Sequence, residues 1–246
     1  MHATSAPTFG IQVTTRGDVG EKMIRYAQDK ISRVARRHTK DPILSLRIKL
    51  TAEPNPSRGR PAIAQASLDV NGRLIRGHVA GVGMQAAIDL LEERLRDQLE
   101  RLADRREALR KRGPGPRDAG EWRHGDPPSP RPPFFDRLPE ERQVVRRKTY
   151  ALHPLTAADA ADEMRQLDYD FHLYVDADTG QEMVVRRAED GTVSASGPVG
   201  DLAEPEAVER LSLTGDPFLF YRDAATGRAT VAYRRYNGHY GLITGA

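Results

Sequence analysis

The sequence predicts an α+β protein in two parts. An N-terminal β-α-β-β-β-α domain is followed by a Gly/Pro-rich linker and two small β-rich repeats. Three observations carry this reading. Before residue 113, apolar residues recur first at alternate positions and then at helical spacing. Between 113 and 141, 12 of 29 residues are Gly or Pro, a composition that packs no core. Beyond 142 the chain aligns with itself at an ungapped offset of 47, sharing 11 residues over the 42 positions Leu155–Ser196 and Leu202–Ile243.

The elements follow in order. Phe9–Thr15 alternates as a short strand. Gly17 and Asp18 open a helix from about Val19 to His38, with Asp18 in N-cap position. Its apolar stripe is Ile24, Ala27, Ile31 and Val34, and Pro42 lies just past its end. Ile43–Ala52 reads as a strand, 53–61 as a loop and Ala62–Val70 as a strand. Asn71-Gly72 is a two-residue hairpin signal, which pairs Arg73–Ala80 antiparallel with the strand before it. A helix from about Met84 to Lys111 buries Met84, Ile88, Leu91, Leu95, Leu99 and Leu102. The order implies one antiparallel sheet with two helices on one face. It resembles a double-stranded-RNA-binding fold with one extra strand.

The domain boundaries fall at 1–112, the linker at 113–141, a first repeat at 142–197 and a second at 198–246. Nine of the identities lie between Phe171 and Gly191, among them Phe171/Phe218, Tyr174/Tyr221, Asp176/Asp223 and Val184/Val231. Each copy reads as a short helix and then strands turning at Thr-Gly. A unit of about 45 residues without disulfide or metal is too small to be stable alone. Phe218-Leu219-Phe220-Tyr221 is apolar on both faces and Phe171–Val175 nearly so, which demands a partner surface. The expected pairing residues are Phe171, Leu173, Val175, Phe218, Phe220, Tyr221, Tyr233 and Tyr240.

Composition excludes several functions. No run of 18 apolar residues exists, so no membrane-spanning segment is expected, and MHATSAPTFG lacks the pattern of a secretory signal. A cytoplasmic location is the expectation. Without cysteine there is no disulfide, thiolate ligand or thiol nucleophile. The scattered histidines show no ligand spacing, so no metal and no cofactor is expected. Gly81-Val-Gly83-Met-Gln-Ala86 imitates a dinucleotide fingerprint, but its strand comes from a hairpin and no parallel strand follows. Asp176, Asp178 and Asp223 sit at turns, where Asp is expected. Nothing points to catalysis.

Charge is uneven. Residues 1–112 carry 22 Lys/Arg against 13 Asp/Glu, giving +9; residues 113–141 carry −2 and residues 142–246 carry −4. The first region therefore suits a polyanion. Its first helix carries Lys22, Arg25, Lys30, Arg33, Arg36 and Arg37, with Lys40 close by, opposed only by Glu21 and Asp29. In the second helix Arg94, Arg101 and Arg105 lie among Glu92, Glu93, Asp97, Glu100 and Asp104, where intrahelical pairs are the expectation.

FGIQVTTRGD, ASLDVNGRLIRGHVA and MQAAIDLLEERLRDQLERL resemble the N-terminal domain of ribosome hibernation-promoting factors, the protein Y-like inhibitors. VVRRKTYALHPLTAADAADEM, the F-x-x-Y-x-D-A-x-T-G motif and V-x-Y-R-R-x-x-G-x-Y-G-L-I resemble the C-terminal domain of the long form. The resemblance implies a domain lodged in the decoding channel of the small ribosomal subunit, over the tRNA and mRNA positions, that blocks translation in non-growing cells. It implies rRNA contact through the first helix, through Arg73, Arg76 and His78, and through the start of the second helix. The long form's C-terminal domain is expected to dimerise and join two ribosomes. An older reading of the family as sigma-factor modulators finds no support in these residues. This chain departs from the long-form pattern by carrying the C-terminal unit twice, the first copy ending in Thr192-Val193-Ser194-Ala195. The expectation is that the two copies pair with each other, the protein is mainly monomeric, and it holds single inactive ribosomes; the alternative is a ribosome-dimerising factor.

Overall fold

A computed structural model describes residues 9–53, 61–112 and 137–246. The expected linker up to residue 136, with Trp122, Phe134 and Phe135, lies outside the described residues. The chain divides into two units. No described helix is long and apolar enough to cross a membrane.

In the first unit β1 (Gly10–Arg16) leads into α1 (Glu21–His38), β2 (Ile43–Ala52), β3 (Ala62–Val70), β4 (Arg73–Gly81) and α2 (Met84–Arg112). The sheet order is β1-β2-β3-β4. β2, β3 and β4 are antiparallel neighbours, but β1 pairs parallel with β2, Gly10 opposite Ser45 through Arg16 opposite Thr51. The sheet is therefore mixed, not antiparallel throughout. α1 is the crossover that returns the chain in the same direction, and strand alternation looks the same either way. α1 also starts later than its sequence suggests. Its N-cap is Gly20, without a side-chain cap, because Gly17 first turns the chain at φ 76°. A Cβ there would stand 2.1 Å from the Ala52 carbonyl oxygen, so the turn admits only glycine.

Both helices cover one sheet face. Ala27, Ile31, Val34 and Ala35 of α1 and Ala87, Ile88, Leu91, Leu95, Leu99 and Leu102 of α2 meet Leu46, Ile48, Leu50, Ala64, Ala66, Leu68, Ile75 and Val79 in one buried core. Asn71, at φ 53°, makes the tight turn that Asn-Gly predicted.

The second unit contains β5 (Val144–Tyr150), then two copies of one pattern. The first is β6 (Pro154–Leu155), α3 (Ala157–Gln166), β7 (Phe171–Asp176), β8 (Glu182–Arg187) and β9 (Val193–Ser196). The second is β10 (Asp201–Leu202), α4 (Glu204–Thr214), β11 (Phe218–Asp223), β12 (Ala229–Arg234) and β13 (Tyr240–Gly245). Every element of the second begins 47 residues after its counterpart. The turns match atom for atom: Asp176 Oδ1 accepts the Thr179 amide at 2.9 Å, and Asp223 Oδ1 accepts the Thr226 amide at 2.9 Å.

One strand breaks the symmetry. β5, expected to open the first repeat, instead pairs parallel with β13 of the second, Gly241 opposite Arg146 through Gly245 opposite Tyr150. The second copy's sheet thus has five strands, β10-β11-β12-β13-β5, and the first copy's has four, β6-β7-β8-β9.

Candidate nucleic-acid surfaces and the interface between the copies

The core face of α1 leaves its other side to solvent. Lys22, Arg25, Arg33, Arg36, Arg37 and Lys40 are exposed. Lys22, Arg25, Asp29, Arg33 and Arg36 follow one another at three or four residues, so they line a single stripe. Among the described residues Arg25 meets only Glu21, at 4.0 Å on an exposed surface, and the Arg36 guanidinium lies 5.7 Å from the centroid of the Phe9 ring. Asp29 is the one acid in the stripe.

Lys30, expected among the RNA contacts, points elsewhere. Its Nζ stands 2.5 Å from Asp89 and 2.8 Å from Glu92 of α2, and Tyr26 donates to the same Asp89 oxygen at 2.6 Å. Partial burial disfavours the ammonium, but the hydrogen bonds with Asp89, Glu92 and Tyr26 outweigh it and hold the Lys30 pKa above the usual lysine range. Burial also works against the Asp89 carboxylate, and its bonds with Lys30 and Tyr26 reverse the sign and lower its pKa. His38 Nδ1 approaches Glu100 at 3.1 Å. Three acids of α2 therefore reach across to α1, and two of them, Glu92 and Glu100, were expected to pair within α2.

On β4, Arg73 is exposed at the hairpin and Arg76 is half-buried. His78 is 7 % exposed. The register across the sheet brings in residues that sequence reasoning missed. Gln12, Arg47, Ser67 and Arg76 stand opposite one another in one row, and Thr14, Lys49, Gln65 and His78 in the next. Their neighbours Leu46, Ile48, Leu50, Ala64, Ala66 and Leu68 point into the core, so alternation puts these rows on the face away from the helices. Arg16, Arg47 and Lys49 are exposed. The unit thus carries cations on two faces: one from α1, one from the side of the sheet away from the helices. Strict alternation of Arg47 and Lys49 with buried neighbours was the available signal.

Between the two C-terminal copies a single cluster draws from both. It contains Leu173, Val184, Phe220, Ala229 and Val231, with Leu152, Phe171, Phe218, Tyr233 and Ile243 packed on it. The Phe171 and Phe218 rings are 4.5 Å apart, and Phe171 and Tyr233 are 6.1 Å apart. Of the residues expected here, Phe171, Leu173, Phe218, Phe220 and Tyr233 lie in this cluster. Tyr221 and Tyr240 do not; they pack under α4 with Ala207, Leu211, Ala232 and Leu242. The two-residue period of β11 sends Phe218 and Phe220 to one face and Leu219 and Tyr221 to the other. Val175 is half-buried on β7 outside the cluster. Val184 and Val231 were legible as an identity of the repeat.

A basic two-layer α+β domain followed by a tandem, internally packed β-rich module defines the class of protein. Residues 11–107 match the family described as sigma 54 modulation protein / S30EA ribosomal protein. Residues 139–194 and again 198–242 match its companion, sigma 54 modulation/S30EA ribosomal protein C terminus. A ribosome hibernation promotion factor of Deinococcus radiodurans is 32 % identical over 180 residues, covering 71 % of this chain and 90 % of that protein. A dormancy associated translation inhibitor of Mycobacterium tuberculosis is 37 % identical over 133 residues, 43 % of this chain. That match spans only 49 % of the mycobacterial protein, about half its length. The N-terminal domain of Thermus thermophilus protein Y aligns over 37 % of this chain and 98 % of its own, at 20 % identity and a TM-score of 0.30.

The chain belongs to the long-form ribosome hibernation promotion factor family, whose members are ribosome-associated factors and not enzymes.

Proposed function

We propose that this chain is a ribosome hibernation factor. Its first unit binds the small ribosomal subunit at the decoding centre, in the tRNA and mRNA channel, and blocks translation by occupying it. The observation that carries this reading is the two-sided charge. A flat RNA contact needs one basic face; a domain with cations on α1 and on the opposite sheet face fits a cleft walled by RNA. The family relatives named for hibernation and translation inhibition support the same reading. Arg is the main cation here, and its planar fork suits phosphate. Action on ribosomes puts the protein in the cytoplasm.

The two C-terminal copies pair with each other and take the place of a homodimer. Support comes from the apolar cluster they share and from tethering, which gives an effective concentration in the millimolar range for short flexible links. The factor then holds single inactive ribosomes. The competing reading, a ribosome-joining dimer, needs Tyr233–Ile243 free; Tyr240 and Leu242 are buried in the second copy's own core.

The test is inhibition of a translation extract, with sucrose-gradient sedimentation. The wild-type protein travels with the small subunit and inhibits. The R25E/R33E/R36E variant stays folded, because these side chains lie off the core stripe, and loses inhibition. Each lost phosphate contact also makes the salt dependence of binding shallower by roughly 0.7–0.9. Full inhibition by the triple variant rules out the assigned face.

A further inference from the structure

β5 is an edge strand, and its chemistry departs from the rest of its unit. Residues 142–246 carry 12 Lys/Arg and 16 Asp/Glu, yet Arg142, Arg146, Arg147 and Lys148 fall within seven positions. Arg147 is neutralised by Glu204 at 2.5 Å. Arg146 is exposed and has no ion pair among the described residues. Arg146, Lys148 and Tyr150 stand opposite Gly241, Ile243 and Gly245, so the three share one face of the strand, spaced by about 6.6 Å. Lys148 Nζ donates to the Tyr150 hydroxyl at 2.8 Å and lies 5.4 Å from the ring centroid. The Tyr150 side chain is nevertheless open, 43 % exposed.

An edge strand is commonly guarded by a lysine, which discourages strand addition. That role accounts for one cation. It does not account for two cations and an exposed aromatic ring aligned on one face of an otherwise acidic unit. Cations that follow a backbone and an aromatic platform on which a base stacks are the parts of a single-strand nucleic-acid site. A duplex would meet the cations but leave Tyr150 without a base, and an acidic peptide would do the same.

We propose that the Arg146, Lys148, Tyr150 face of β5 is a second nucleic-acid contact, which takes a single-stranded RNA segment. The inference rests on the hibernation-factor reading and deepens it: the C-terminal module then touches ribosomal RNA as well as pairing its own two copies. Lys148 and Arg146 meet successive phosphates, and a base lies on Tyr150.

The experiment uses the full chain in the R25E/R33E/R36E background, so that α1 does not mask the result. Binding of a fluorescent oligouridylate is followed over a salt series. Adding R146E/K148E makes the slope of log affinity against log salt shallower by roughly 1.4, two contacts at about 0.7 each. Adding Y150A weakens binding about tenfold, the scale of one lost stack. R146Q/K148Q repeats the slope measurement without new negative charge, should the reversal perturb the strand. An unchanged slope in both cation variants overturns the proposal, as does polyglutamate binding as tightly as oligouridylate. If the chain without these changes fails to travel with ribosomes, the hibernation-factor reading falls, while the oligouridylate result still decides the β5 site.

Discussion

Tyr174 and Tyr221 occupy the same place in the two copies, and each hydroxyl is buried with no hydrogen-bond partner among the described residues. Burial pushes both phenols up to about 12, helped by Asp176 and by Asp223 respectively. An unpaired buried hydroxyl costs about 1–3 kcal/mol. Tyr174→Phe and Tyr221→Phe should therefore be neutral or raise the unfolding free energy by about 1 kcal/mol, measured by urea denaturation. A loss of stability in either would mean that its hydroxyl is bonded after all. Nearby, Gly241 lies under the Tyr233 ring, where a Cβ would come within 2.5 Å. In the first copy the corresponding pair is Ser194 and Arg186, joined by a hydrogen bond of 3.2 Å. The first copy's loss of its Tyr-Gly-Leu-Ile end is thus a local exchange of ring-on-backbone packing for a polar contact.

At the scale of the element, the shared cluster rests on β7, β8, β11 and β12, two strands from each copy. Fully burying one Val, Leu or Phe contributes about 1.5–3 kcal/mol, so a cluster of this size is a large share of a domain's usual net stability of about 5–15 kcal/mol. Phe171→Ala and Phe218→Ala should each destabilise the module by about 3 kcal/mol or more. Their double-mutant cycle should show coupling of about 0.5–1.5 kcal/mol, as expected for rings in contact. Additive effects would mean that the copies do not pack in solution. The elements themselves were largely legible: Asn71-Gly72 announced its hairpin, and the ungapped offset fixed the second copy once the first was read. What failed was pairing at a distance. β5 meets β13 across more than ninety residues, and nothing local in VVRRKTY says which copy it joins. Lys30 looked like a surface cation because its acids, Asp89 and Glu92, lie on another helix. Arg47 and Lys49 were passed over because charge was counted along the chain, while only the sheet register gathers them with Arg76.

At the scale of the whole molecule, effective concentration decides the assembly. Under the pairing proposed above, two copies on one chain meet before a second chain arrives, so the purified protein should be a monomer of 27.4 kDa by light scattering over the micromolar range. Gradients of ribosomes treated with it should lack a peak of paired particles. Such a peak, lost on deleting residues 202–246, would overturn the intramolecular pairing.

The single β5 gives the tandem module a consequence of its own. Two identical subunits around a twofold axis present the same surface twice, and whatever binds one end binds the other. Here one end is finished by a basic strand and the other stops at β9, with Ser194 and Ser196 where the second copy has Gly241 and Ile243. The module is therefore a polar object with a head and a tail. Anything that recognises the head attaches once per chain, so an assembly made through it terminates after a single addition.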